Sequence, residues 1–272
     1  MSGTEYVVST DGTRIAFQRQ GSGPALILVD GAMCHRGMGP NGALADLLAS
    51  RFTVYTYDRR GRGESGDTAP YTVEREIDDL RALVKEAGGS VYLYGISSGG
   101  ALALEATEAG LPVRRLALYE LPYVVDRSRP IIPADYESTL DAHVAAGERG
   151  KAVALFMRTG VGLPGIVVAL MRLLPAWPKL KAVAHTLPYD TSYTAALQRG
   201  KPLPAERWAG VGVPVTVIAG SKSPAWMQTA MRALASALKG ATHTTLPGQT
   251  HIVKPAALAP VLRDFFDQEE AK

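Results

Sequence analysis

The chain has 272 residues, 46% of them hydrophobic and 20% charged, with a formal net charge of +3. That balance supports a sizeable buried core and excludes a disordered chain. Lys and Arg are scattered, with no basic stripe interleaved with aromatics, which argues against nucleic acid as a partner; the single Cys34 excludes an internal disulfide framework.

Tyr6 to Ser9 and Arg14 to Arg19 flank Asp11-Gly12, a two-residue turn signal, and predict an antiparallel hairpin at the start of the chain. Met1 to Ser9 lacks the charged and apolar regions of a signal peptide, so a cytoplasmic address is expected. Ala25 to Asp30 and Phe52 to Tyr57 read as apolar strands around a helical stretch, Ala43 to Ala49. Val73 to Ala87 carries Ile77, Leu80, Leu83 and Val84 at helical spacing, and is followed by strand Val91 to Tyr94, helix Ser98 to Ala109 and strand Arg115 to Tyr119. Such alternation predicts an α/β fold: a mostly parallel sheet with helices on both faces and ligands outside the carboxyl ends of its strands.

From residue 122 to residue 208 the pattern changes to helices broken by prolines, with no strand signal, and reads as an insertion. Its longest uncharged apolar stretch, Thr159 to Met171, is too short for a bilayer span, which needs about 18 apolar residues or more. A buried or ligand-facing helix is expected there, with transient membrane contact as the alternative. Strand and helix order resumes with Val213 to Ala219, Ala225 to Leu238, Thr242 to Leu246 and Ala256 to Phe266. Residues 1–121 and 209–272 are thus expected to form one core, and 122–208 to cap it.

The chemistry concentrates at Gly95-Ile96-Ser97-Ser98-Gly99, a G-x-S-x-G pentapeptide between a strand and a helix. A serine in so sharp a turn is held with its hydroxyl outward, and Ser97 is the candidate nucleophile. Its base should be a histidine. Of the five, His251 alone sits in a loop past the last strand, whereas His243 lies within a strand and His143 and His185 in the insertion. No histidine spacing suggests a metal site, and no metal or other cofactor is expected.

An acid must orient the imidazole. No Asp or Glu occurs from Arg207 to Arg263, so the loop after strand Val213 to Ala219 cannot supply one. Glu120, directly after Tyr119, is the candidate; its other reading is a structural ion pair or turn residue, which would leave a Ser97–His251 dyad with Ser223 or water against the imidazole. Backbone donors for a developing oxyanion are expected from Ser98, at the helix start, and Ala32, in the loop after Asp30. Gly61 to Gly66 matches G-x-G-x-x-G, but no helix follows it directly to hold a pyrophosphate. Cys34-His35 reads as a free thiol beside an unrelated imidazole.

These residues together resemble the α/β-hydrolase superfamily, over nearly the whole chain. Asp30-Gly31-Ala32 stands where members have a His-Gly-x loop, Tyr57 to Ser65 resembles the family's strand-end turn, and the insertion resembles a helical lid. The resemblance implies the α/β-hydrolase fold with an eight-stranded sheet, and a carboxylesterase- or lactonase-like serine hydrolase acting on a small apolar ester, lactone or thioester. Met33, Phe156, Met157, Ile166, Leu170 and Trp177 are then expected to line the substrate pocket. Three departures stand out: Asp30 replaces the usual histidine, Ile96 precedes the serine where a histidine is frequent, and Ser223 occupies the place of the usual acid. Haloalkane dehalogenases, which take their acid from the end of the earlier strand, make Glu120 a reasonable transfer. The alternatives are a cofactor-free lyase, perhydrolase or cyclase, or a ligand-binding protein on a degenerate scaffold. A monomer or homodimer without a stable membrane span is expected.

Overall fold

Runs of β-branched and aromatic residues form the strands, and their burial separates edge from centre. The structure, a computed structural model, describes residues 3–268. β1 (Glu5–Val8) and β2 (Arg14–Gln20) are followed by β3 (Ala25–Val29), α1 (Asn41–Leu48), β4 (Thr53–Tyr57), α2 (Val73–Glu86), β5 (Val91–Ile96), α3 (Ser98–Glu108) and β6 (Val113–Tyr119). Next come α4 (Tyr136–Ala145), α5 (Arg149–Leu155), a π-helical turn (Phe156–Gly160), α6 (Gly165–Met171), α7 (Trp177–Ala182) and α8 (Leu187–Thr194). β7 (Val215–Gly220), α9 (Ala225–Ala237), β8 (Thr242–Leu246) and α10 (Pro255–Phe266) complete the order.

The eight strands form one sheet in the order β1-β2-β4-β3-β5-β6-β7-β8. β2 runs antiparallel to both β1 and β4, and every pairing from β4 onward is parallel. β5 and β7 are buried along their whole length, as a parallel strand covered on both faces requires. Leu93 packs into the layer under α2, α3 and α9, while Tyr92 and Tyr94 pack into the layer under α1 and α10. The period-two alternation of strand side chains therefore divides one apolar run between two cores.

Helix α2 shows how local signals agree. Ile77, Leu80, Leu83 and Val84 are all at most 5% exposed, Thr72 caps the first turn by accepting from the Arg75 N–H, and Glu74 and Glu76 suit its positive end. The opening hairpin forms with a wider loop than the Asp11-Gly12 pair predicts. β1 ends at Val8 and β2 begins at Arg14, and the Thr13 carbonyl accepts from the Ser9 N–H at 2.8 Å. The Asp11 side chain takes the Thr13 N–H at 3.0 Å, which favours the longer turn.

Thr159 to Met171 departs from expectation. Pro164 and three glycines, Gly160, Gly162 and Gly165, break it, and α6 buries only Val168. Ile166 and Leu170 stand 69% and 58% exposed, so the segment is neither a buried helix nor an enclosed pocket wall.

Between β6 and β7, the helices are tied to the sheet by a buried ion network. Arg59, Arg60 and Arg62 are at most 1% exposed. Arg59 donates to both oxygens of Glu76 at 2.6 and 2.7 Å and to Asp190 at 2.6 Å, and Arg62 reaches the other Asp190 oxygen at 2.5 Å. Burial alone would raise the pKa of Asp190, but the two guanidiniums outweigh it and hold the carboxyl below its ordinary range. Asp190→Ala leaves Arg62 without a carboxylate partner among the described residues. The variant should lose about 3–5 kcal/mol in chemical denaturation; a loss near zero would show that the network is relaxed by solvent.

Candidate active site

β5 leads into Ser97 at φ 57° and ψ −132°, after which α3 begins. Only three non-glycine residues in the described chain have positive φ: Met33, Ser97 and Glu120. Each such conformation costs roughly 1–3 kcal/mol and persists only where its surroundings enforce it. Ser97 donates its N–H to Tyr119 O at 2.9 Å, and Ile96 is in register with Tyr119, so Ser97 and Glu120 stand side by side at the ends of adjacent parallel strands. Gly31 abuts the serine: a Cβ on it would lie 3.0 Å from Ser97 Cβ and 3.6 Å from Ser97 Oγ.

Glu120 is fully buried, and both of its oxygens are engaged. Oε1 accepts from the Gly220 N–H at 2.7 Å, and Oε2 lies 3.0 Å from His251 Nδ1. His251 keeps 43% of its side chain exposed. Its loop is fixed from β6 and from the turn after β7. Tyr119 donates its hydroxyl to Thr250 O at 2.7 Å, and the Lys222 N–H donates to Gln249 O at 2.8 Å. Gly220 is what lets this loop settle on β7, since a Cβ there would sit 2.3 Å from Gln249 O.

Ser223 does not take part in this contact. Its Oγ is buried and lacks a hydrogen-bond partner among the described residues, while His251 Nδ1 is held by the glutamate. His143, from α4, faces Glu148, and His185, just before α8, lies 3.7 Å from Asp67. Burial, then the nearby Asp30, pushes the Cys34 thiol up to about 12, so it stays protonated at neutral pH.

Arg62 shapes the loop around Ala32. Its Nη1 donates to Gly31 O at 2.8 Å and to Cys34 O at 3.4 Å, bracketing Ala32 and Met33. Among the described residues neither the Ala32 N–H nor the Ser98 N–H donates a hydrogen bond. Two unspent donors therefore flank the serine, one of them at the positive end of α3. Arg59 and Arg62 were not among the residues expected at the site. Three arginines within the turn after β4 were a signal of unusual charge, but their partner Asp190 is more than a hundred positions away.

Ala32 and Met33 join one apolar cluster with Phe156, Met157, Met171 and Trp177. Phe156 and Met157 are partly exposed, whereas Trp177 is 7% exposed and is packed as support beneath them. Tyr193, from α8, donates to Ser98 O at 3.2 Å, bringing the inserted helices next to the start of α3.

The family model of the alpha/beta hydrolase family matches residues 31–261. The chain belongs to that family. A crystal structure of an alpha/beta hydrolase from Sphaerobacter thermophilus DSM 20745 is 50% identical, covers 96% of this chain and 100% of that one, and superposes with a TM-score of 0.88. The enol-lactonase from Burkholderia xenovorans LB400, at 20% identity and a TM-score of 0.69 over 97% of this chain and 100% of its own, shares the fold. Uncharacterized hydrolase YraK of Bacillus subtilis (strain 168) is 38% identical over 101 residues, 35% of each chain. The match thus spans about a third of that curated relative.

Within this family member, Asp30 is 2% exposed and its Oδ1 has no hydrogen-bond partner among the described residues. Burial, only partly offset by Arg62 and Arg59, pushes its carboxyl up to about 7. In the unfolded chain the group ionises near about 4, so the folded state holds its proton more tightly between those values. Stability of the wild type relative to Asp30→Asn should therefore fall as pH rises from about 4 to about 7 and stay level above, by up to roughly 4 kcal/mol. Urea titrations across that range check it, and a constant difference would contradict it. Gly220→Ala should force the Gln249–Thr250 backbone away from β7, lowering the melting temperature and separating His251 from Glu120. A variant with wild-type melting and activity would refute that close approach.

Proposed function

We propose that this alpha/beta hydrolase is a serine hydrolase that cleaves a small or medium apolar ester, lactone or thioester through an acyl-enzyme at Ser97, in the cytoplasm. The observation that carries the reading is the 3.0 Å hydrogen-bond contact between Glu120 and His251 Nδ1 at the strand end beside Ser97.

Ser97 Oγ attacks the substrate carbonyl carbon as His251 takes the hydroxyl proton. Glu120, already bonded to Nδ1, stabilises the imidazolium that forms. The carbonyl oxygen becomes an oxyanion and receives the N–H groups of Ala32 and Ser98, both free to donate. Collapse of the tetrahedral species breaks the bond to the leaving alcohol or thiol, which takes the proton from His251. Water then gives its proton to His251 and attacks the acyl carbon, and release of the acid returns the proton to Ser97.

Residues 122–208 serve as a lid in this reading, with Met33, Phe156 and Met157 facing the acyl or alcohol group and Trp177 bracing them from behind. Ile166 and Leu170, solvent-facing on α6, have no place in that pocket. The preference for apolar substrates follows from the apolar side chains of that cluster.

A fluorophosphonate probe followed by peptide mass analysis tests the assignment. Wild type should carry one adduct on the peptide containing Ser97, and Ser97→Ala should carry none. An unlabelled wild type, or labelling that survives Ser97→Ala, would reject the nucleophile.

A further inference from the structure

Helix α6 is apolar all round, and the turn after it adds Leu173 and Leu174 behind Arg172. Val168 is 4% exposed and Met171 packs into the cluster beside Met33. The opposite side carries Ile166, Leu170, Leu173 and Leu174, exposed by 69%, 58%, 81% and 53%. Their spacing of i, i+4, i+7 and i+8 places all four along one stripe. One side of the helix is covered by the protein, so the other calls for a second apolar medium.

The charge around the stripe names that medium. From Arg149 to Tyr189 the chain has no Asp or Glu, while Arg149, Lys151, Arg158, Arg172, Lys179 and Lys181 supply six cations. Lys151 pairs with Glu148; among the described residues no carboxylate pairs with Arg149, Arg172, Lys179 or Lys181. Arg149, Arg172 and Lys181 converge with Trp177 on a cleft of about 740 Å³ whose one carboxylate, Glu148, is already paired with Lys151, and Arg172 directly precedes Leu173 of the stripe. Apolar and cationic groups thus share one surface.

The geometry points to a docking surface for an anionic lipid bilayer, with the α6 stripe entering the acyl boundary and the surrounding Arg and Lys meeting lipid phosphates. A helix with exposed Leu and Ile flanked by basic residues binds in this way without crossing the membrane, and no helix of the described chain is long and apolar enough to cross one. Each Lys or Arg near an anionic bilayer raises affinity roughly fivefold. A second copy of this chain is the poorer occupant, because a two-fold contact through α6 would set these cations against their own duplicates. Docking would bring the cluster of Phe156, Met157 and Met33, one helix away, next to the lipid phase. This surface stands independently of the catalytic assignment.

Co-sedimentation with vesicles tests it, using phosphatidylcholine alone and phosphatidylcholine with phosphatidylglycerol. Wild type should pellet with the anionic vesicles, bind the neutral ones at least tenfold more weakly, and be released by salt. Leu173→Asp with Leu174→Asp should weaken anionic binding by tenfold or more with unchanged circular dichroism, and Arg172→Glu with Lys179→Glu should erase the lipid preference. Wild type that stays in the supernatant, or pellets equally with both vesicles, would overturn the proposal. So would sedimentation velocity showing a dimer that the Leu173→Asp, Leu174→Asp variant abolishes while neither protein binds vesicles. Probe labelling of Ser97, measured without vesicles, is read separately, so failure of docking is distinguishable from failure of the nucleophile.

Discussion

One buried carboxylate joins the ends of two strands to the loop after a third. Glu120 leaves β6 with positive φ, takes the Gly220 N–H of β7 with one oxygen, and meets His251 Nδ1 with the other. Buried carboxylates are tolerated only when such partners replace water. The parallel register then sets Ser97 on the adjacent strand end, so the same sheet geometry that buries β5 also fixes where its hydroxyl stands. Gly31 and Gly220 matter for a related reason: a Cβ on Gly220 would force the Gln249 backbone away, and one on Gly31 would crowd Ser97.

A second layer of order lies behind this one. Arg59 and Arg62 hold the carbonyls of Asp30, Gly31 and Cys34 from the core side and reach Asp190 in the inserted helices with their remaining donors. The loop carrying Ala32 and the helices above it are therefore positioned by a shared set of charges. Asp30, beside that set with an unpaired oxygen, sits where burial works against its ionised form. The usual histidine at its position would bring a positive or neutral ring in place of a carboxyl, so the loop is supported from a different electrostatic starting point.

Much of this was legible in the chain because its signals are local. The strand and helix order follows apolar runs and spacing that need no partner, and the Gly95–Gly99 turn announces itself between a strand and a helix. Glu120 was reached by elimination, from the absence of acidic residues between Arg207 and Arg263. The Arg59–Asp190 contact was not legible, since its partners are 131 positions apart and nothing in either segment points to the other. Neither was the exposure of α6: a helix apolar on every side carries no periodic mark to tell which side faces inward. The width of the first hairpin loop escaped for a smaller reason, the capture of the Thr13 N–H by the Asp11 side chain.

The strand-end carboxylate is also where the proposed chemistry can fail most plainly. The decisive measurement is kcat/KM of Glu120→Gln against wild type, on a p-nitrophenyl ester that wild type turns over. Loss of the charge that steadies the imidazolium should lower it by about two to four orders of magnitude, with folding unaltered by circular dichroism. A folded variant within a few-fold of wild type would contradict a role for Glu120 in orienting and stabilising the His251 imidazolium.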